Sequence, residues 1–191
     1  MAMFDFWREV TDCRKKREAD SDELTKVFQK SAGRDIVILC IGSDRVIADS
    51  LGPLVGTLLR ESHIPYEVFG TLEYPVHALN IEKTIQKINS RFLDPFILAV
   101  DASIGDKQDV GKIFLEKGPL IPGRAMNKVL PEVGDYQMKG VVAYREEFAP
   151  PKYINSTRLF SVKSLAKNIS QIILAAVTEM KTQQQILNKM Q

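Results

Sequence analysis

The stretch Ile36-Val-Ile-Leu-Cys-Ile41-Gly42-Ser43, leading within a few residues to Ala48-Asp49-Ser50-Leu51-Gly52-Pro53-Leu54-Val55, decides how the chain is read. Six consecutive apolar residues rich in Ile and Val are too short for a core helix and fit a strand buried on both faces. Leu51, Leu54, Val55, Leu58 and Leu59 then recur at helical spacing, with Pro53 well placed at a first helical position. Strand, polar turn and amphipathic helix in that order open an α/β sheet.

The same alternation continues outward. Tyr66 to Gly70 reads as a second strand, and Ile81, Ile85 and Ile88 mark the next helix. Asp94-Pro95 breaks the chain before a third buried strand, Phe96-Ile-Leu-Ala-Val100, with Asp101 immediately after it. Lys112 to Glu116 predicts a fourth strand. A Gly/Pro-punctuated loop follows from Gly118 to Gly123, then a short segment around Ala125 to Leu130, and a fifth strand at Val141 to Tyr144. Glu146 to Thr157, with Pro150-Pro151, reads as a loop long enough to suspect a function. Leu165, Ile169, Ile172, Ile173, Ala176, Val177 and Met180 build a long C-terminal helix. Ahead of the sheet, Asp20-Ser21-Asp22 offers an N-cap before Leu24, Val27 and Phe28, so one or two helices are expected there. The expected division is an N-terminal helical extension over 1–34, a single α/β domain over 35–182 and a polar tail over 183–191.

With 191 residues, 45% of them hydrophobic and 26% charged, the composition is that of an ordinary folded domain. Lys plus Arg exceed Asp plus Glu by 26 to 24, and a net charge of +2 generates no field that would gather nucleic acid or an anionic membrane. The longest apolar runs, Ile36 to Ile41 and Ile172 to Val177, fall far short of the ~20 residues of a membrane span. Met1-Ala-Met-Phe-Asp5 lacks the basic start of a secretory signal, so a cytoplasmic protein is expected. Cys13 and Cys40 have no metal-ligand spacing and read as reduced thiols.

Open α/β sheets bind ligands beyond the carboxyl ends of their strands. Three segments fall there: Gly42 to Ser50, Leu72-Glu-Tyr-Pro-Val-His77, and Asp101-Ala-Ser103-Ile-Gly-Asp106. Asp49 and Asp101, 52 positions apart, project at the same end of the sheet. Taken singly, Asp49 can be a helix cap and Asp101 a turn former. Taken together, two close carboxyls cannot both ionise easily, so one keeps a proton while the other is a base. That arrangement activates water against an amide: the ionised member removes a proton from water, and the protonated one donates to the oxyanion or leaving nitrogen.

Around these acids the chain resembles the bacterial spore germination protease. Cys40-Ile-Gly42-Ser43 with Ala48-Asp49-Ser-Leu-Gly52-Pro-Leu-Val is similar to the strand, turn and Asp-Ala-Leu-Gly-Pro run that present one catalytic aspartate of that family. Phe96-Ile-Leu-Ala-Val-Asp101-Ala102 is similar to the strand carrying the second. Gly118 to Gly123, continuing to Gly140-Val-Val142, resembles the family's Pro-Gly loop and following strand. Ser43 stands where the protease has Asn, and Ser103-Ile104 departs from the run after its second Asp. Length and order are closer to the YyaC-type sporulation proteins, over roughly residues 35 to 180. The resemblance implies a three-layer αβα sandwich around a mostly parallel five-stranded sheet, like that of the hydrogenase-maturation endopeptidases. It implies Asp49 and Asp101 as catalytic residues; Gly42, Ser43, Gly52, His77 and Ser103, on the loops around them, are read as supporting the site. It further implies a protein or peptide substrate, possible small spore proteins among them, in a forespore or spore interior. The hydrogenase-maturation enzymes hold nickel with a later His; here His63 and His77 are the only histidines and neither follows Asp101.

Other constellations are weaker. Gly-x-Gly-x-x-Gly, Walker and Gly-x-Ser-x-Gly motifs are absent, so no dinucleotide or triad site is expected around Ser43, Ser50 or Ser103. His77 can orient a carboxylate or water, or simply bond backbone. Asp44, Asp106, Asp109 and Asp135 read as solvated turn acids that could add oxygens for a metal. Three functions remain open: a metal-independent endopeptidase, a protease-like scaffold that binds a partner without cutting, and a nickel- or magnesium-assisted hydrolase using Asp49, Asp101 and His77. No cofactor is expected for the first, and a homo-oligomer sharing the C-terminal helix is plausible.

Overall fold

A computed structural model describes residues 2–31, 33–122, 131–144 and 157–189, with side chains from residue 15 onward except that of residue 187. The segment expected around Ala125 to Leu130, and all but the last residue of the Glu146–Thr157 loop, lie outside the described residues.

The chain divides into two compact units, one of Met1–Ala32 with Gln171–Gln191 and one of Gly33–Ser170. In the first unit, helix α1 runs unbroken over Ala2–Gln29. The expected cap at Asp20-Ser21-Asp22 does not form. Ser21 is buried instead, and its carbonyl accepts the Thr25 hydroxyl at 2.9 Å within the helix. The surrounding Arg, Lys and Glu residues are good helix formers that give the chain no reason to break. Leu24, Val27 and Phe28 are buried, as are Ile172, Ile173, Ala176 and Val177 from the later part of helix α4, Leu159–Lys189. Gln29 Nε2 donates to Gln183 Oε1 at 2.6 Å, and Arg17 Nη1 donates to Gln171 Oε1. The residues from Gln183 onward, expected as a polar tail, are helical to Lys189. Gln, Lys and Leu favour the helix beyond the point where the apolar stripe ends.

The second unit is a five-stranded sheet in the order β2-β1-β3-β5-β4. Its strands are β1 (Ile36–Cys40), β2 (Glu67–Phe69), β3 (Phe96–Gly105), β4 (Ile113–Lys117) and β5 (Tyr136–Tyr144). All neighbours are parallel except β4 and β5, so the sheet is mostly parallel, as expected. Helices α2 (Leu51–Glu61) and α3 (Ile81–Arg91) complete the crossovers. One face of the sheet, through Val37, Leu39, Ile41, Ile97 and Ala99, packs with Ile81 and Ile88 of α3. Alternation turns Cys40, Val100, Met138 and Gly140 to the other face. There Cys40 lies against α2, and a methyl on Gly140 would strike Leu51 of α2 and Leu165 and Ile169 of α4. Three layers result, helix on sheet on helix.

At the amino ends of the strands, Arg34 Nη1 bonds Asp135 Oδ1 at 2.8 Å and Arg34 Nη2 donates to the Pro95 carbonyl at 2.8 Å. Asp135 Oδ2 accepts the Ile97 N–H at 2.9 Å. One guanidinium and one carboxylate thus tie the entries of β1, β3 and β5 together and set the register further along.

Two strands outrun expectation. β3 continues through Asp101 to Gly105, so the third expected loop is largely strand, and β5 begins at Tyr136 rather than Val141. In both, the added residues include polar ones, Asp101 and Ser103 or Gln137 and Lys139. Pairing between β3 and β5 persists where the continuous apolar run has ended.

Candidate active site

Strand β1 leaves the sheet before β3 does. Cys40 is the last β1 residue paired with β3, opposite Val100, and the Ile41 N–H closes the ladder on the Val100 carbonyl at 2.7 Å. Gly42 then turns the chain at φ 142°, and a side chain there would put its Cβ 2.0 Å from the Asp49 carbonyl oxygen. The Ser43 N–H donates to that same carbonyl at 3.0 Å, and the Asp49 N–H to the Val46 carbonyl at 2.9 Å. The loop closes on itself and enters a 3₁₀ turn at Ile47–Ser50. Gly52 seats the first turn of α2 on the strand end, since a Cβ would fall 2.0 Å from the Ile41 carbonyl oxygen. Both glycines named from the sequence therefore act by close backbone approach that fixes Asp49.

The second loop joins the same place. Val76 forms a parallel bridge with Ile41, and its carbonyl accepts the Gly42 N–H at 2.8 Å. Asn80 braces the next residue, accepting the His77 N–H at 2.8 Å through Oδ1 and donating to the Pro75 carbonyl at 2.9 Å through Nδ2. His77 Nδ1 faces the Leu79 N–H at 3.3 Å as acceptor.

Asp49 is half-buried and caps nothing: neither the 3₁₀ turn, whose N-cap is Val46, nor α2, whose N-cap is Ser50, has a side-chain cap bond. The capping alternative therefore does not account for its carboxyl. Asp101 lies inside β3 on the face of Ile97 and Ala99, and its Oδ1 accepts the Ala102 N–H at 2.7 Å. The Val100 carbonyl points toward β1, so in a parallel ladder the Ala102 N–H points the same way, beyond the last β1 residue. The Asp101 carboxylate satisfies the donor that the departing strand leaves.

Burial pushes Asp49 up to about 6, against the lowering influence of the Ser43 N–H and the His77 charge. Burial pushes Asp101 up to about 8; the Ala102 N–H opposes this, the Asp49 charge adds to it, and Lys139 lowers it. The two acids thus share one electrostatic environment, with His77 on the Asp49 side and Lys139 on the Asp101 side.

A fifth strand that starts at Val141, as the apolar run suggests, leaves Lys139 outside the sheet. Lys139 is the direct β5 partner of Asp101, and its Nζ bonds Glu116 Oε2 of β4 at 2.8 Å. The polar/apolar alternation of Gln137-Met138-Lys139-Gly140 is the signal that places it there.

The remaining residues named from the sequence separate. Ser103 lies two residues beyond Asp101 on the same strand, opposite Val141. Ser43 Oγ accepts the Arg45 N–H at 3.2 Å, and buried Ser50 donates to the Ile47 carbonyl at 2.7 Å, so both hydroxyls serve the loop. Asp109 pairs with Lys112 at 2.7 Å and Asp135 with Arg34, while Asp44 and Asp106 are exposed. Among the described residues, no three His, Cys, Asp or Glu side chains come together as a metal-holding group, Asp49, Asp101 and His77 included. Cys40 is buried, which pushes its thiol pKa up. Large apolar side chains lie exposed on the segments bearing the acids: Val46 and Ile47 beside Asp49, Leu72, Tyr74 and Leu79 around His77, and Ile104 beyond Asp101. No helix among the described residues is long and apolar enough to cross a membrane.

The sheet, its two helical layers and the acids beyond the end of β1 define an α/β protein with a carboxyl-end site. The family model described as "Protein of unknown function (DUF1256)" matches residues 12–172, and the chain belongs to that family. It is 40% identical over 152 residues to the uncharacterized protein YyaC of Bacillus subtilis (strain 168), covering 78% of this chain and 72% of the relative. Among solved structures it is similar to the [NiFe] hydrogenase maturation protease HycI from Thermococcus kodakarensis KOD1, with a TM-score of 0.48, 20% identity, and 78% of this chain and 97% of that one covered. It is also similar to HybD, a [NiFe] hydrogenase maturation protease from Thermococcus kodakarensis, with a TM-score of 0.40, 13% identity, and coverage of 72% and 98%.

Proposed function

We propose that this protein is a peptide hydrolase in which Asp49 and Asp101 activate water without a covalent intermediate. The observation that carries the reading is a pair of electrostatically coupled, partly buried carboxyls, one of them serving no cap and both raised toward neutrality by burial. Burial raises Asp101 further than Asp49, which supports Asp101 as the member that keeps the shared proton and Asp49 as the base. Asp49 takes a proton from water as its oxygen attacks the amide carbon, and Asp101 gives its proton to the carbonyl oxygen. Asp49 then passes its proton to the nitrogen as the C–N bond breaks, and a hydroxyl of the tetrahedral diol returns its proton to Asp101 as the carbonyl re-forms, which restores the pair. Gly42 and Gly52 hold Asp49 in place, and His77 faces it as a charge partner. The exposed apolar side chains on the flanking loops suit an extended apolar peptide. The motif resemblance points to spore proteins as substrates and to the forespore as the place of action.

The test is cleavage of spore-protein extracts, with new peptide N-termini identified by mass spectrometry. Asp49→Asn and Asp101→Asn should each lower cleavage by roughly a hundredfold or more while the thermal melt stays cooperative. Undiminished cleavage by both folded variants would overturn the assignment. Extracts that stay uncut while a partner is retained would favour a scaffold that binds and does not cut.

A further inference from the structure

We propose that Lys139 is a positioning residue for the aspartate pair: opposite Asp101 on β5 and tied to Glu116 on β4, its ammonium governs whether Asp101 keeps its proton. The inference rests on the hydrolytic reading above and adds a residue to the same site.

The geometry is a row of charges across three strands. Asp101 of β3 and Lys139 of β5 are direct register partners on neighbouring parallel strands, whose spacing of about 5 Å sets them side by side on one face. Glu116 of β4 pairs with Gln137, so it reaches Lys139 on the diagonal, at 2.8 Å. A lysine stem spans either distance, and here the ammonium is held by Glu116. The other charged groups about the pair are Asp49, from the 3₁₀ turn, and His77, which faces Asp49 from the second loop. Lys139 is the cation acting on Asp101. Held by Glu116, its charge is partly offset and drawn away from Asp101, which can remain a proton donor. Released, it would move onto Asp101, favour the carboxylate and remove the acid that the reaction needs.

A plain surface ion pair would have the same 2.8 Å contact and no consequence for Asp101. Carboxyl-carbon NMR titration of Asp101 in the full chain separates the two, and it reads the charge directly without any substrate. Lys139→Met should raise the Asp101 midpoint by about half a pH unit or more, Glu116→Gln should lower it, and Lys139→Arg should leave it near the wild-type value. Where cleavage is measured, the alkaline limb of its pH profile should move in the same directions. Midpoints unchanged in both Lys139→Met and Glu116→Gln, with melts showing both folded, would overturn the proposal whatever the cleavage assay gives. Shifted midpoints alongside cleavage insensitive to Asp101→Asn would instead overturn the hydrolytic reading alone.

Discussion

A carboxyl whose folded pKa is raised stabilises the fold least when it is ionised. The unfolded chain ionises such a group near pH 4, whereas folded Asp101 holds its proton to about 8, so across that window the folded state binds more protons. Stability from this residue is therefore full below pH 4 and is lost as the pH rises toward 8. Asp101→Asn, which has no charge to bury, should melt a few °C above the wild type at pH 9 and by little or nothing more at pH 5. A difference that is the same at both pH values would mean that Asp101 is not held protonated. Cleavage should give a bell with apparent limbs near 6 and 8, values that belong to the pair rather than to either acid.

At the scale of elements, the Gly42 turn, the 3₁₀ turn and the head of α2 work as one clamp. Gly42→Ala would place a methyl 2.0 Å from the Asp49 carbonyl oxygen, and Gly52→Ala would place one equally close to the Ile41 carbonyl oxygen. Backbone atoms cannot yield as flexible side chains do, so each variant should lose roughly 2 to 4 kcal/mol in chemical denaturation. Losses under about 0.5 kcal/mol would show that the loop can relax without holding Asp49. The apolar runs made these elements legible: Ile36 to Ile41 and Phe96 to Val100 could only be buried strands, and helix α2 announced itself through Leu51, Val55 and Leu59. What the runs concealed was the length of strands covered on one face. Asp101 and Lys139 lie on such extensions, and pairing across the sheet, invisible in a linear pattern, brings them level. The unbroken α1 was hidden for a different reason, because Asp20 to Asp22 suits a helix start and a helix interior alike once tertiary burial takes Ser21.

Across the whole molecule the charge nearly cancels, +2 on 191 residues, so the protein has little long-range field with which to collect a charged substrate. On the proposed hydrolytic function, recognition would fall to short-range contacts, and the segments carrying Asp49, His77 and Asp101 expose Ile47, Leu72, Tyr74, Leu79 and Ile104. Tyr74 and Leu79 are 66% and 73% exposed, too open to contribute much to folding, yet they flank the loop that presents His77. Burying both against a substrate would be worth roughly 2 kcal/mol or more, which corresponds to about a thirtyfold change in affinity. The Tyr74→Ala, Leu79→Ala double variant should therefore raise KM for an apolar peptide by about tenfold or more, leave kcat within about twofold, and melt like the wild type. Raising the salt from roughly 50 to 500 mM should change kcat/KM little, because no charge attraction is there to screen. An unaltered KM in the double variant, or a steep loss of activity with salt, would place recognition on a charged surface away from these loops.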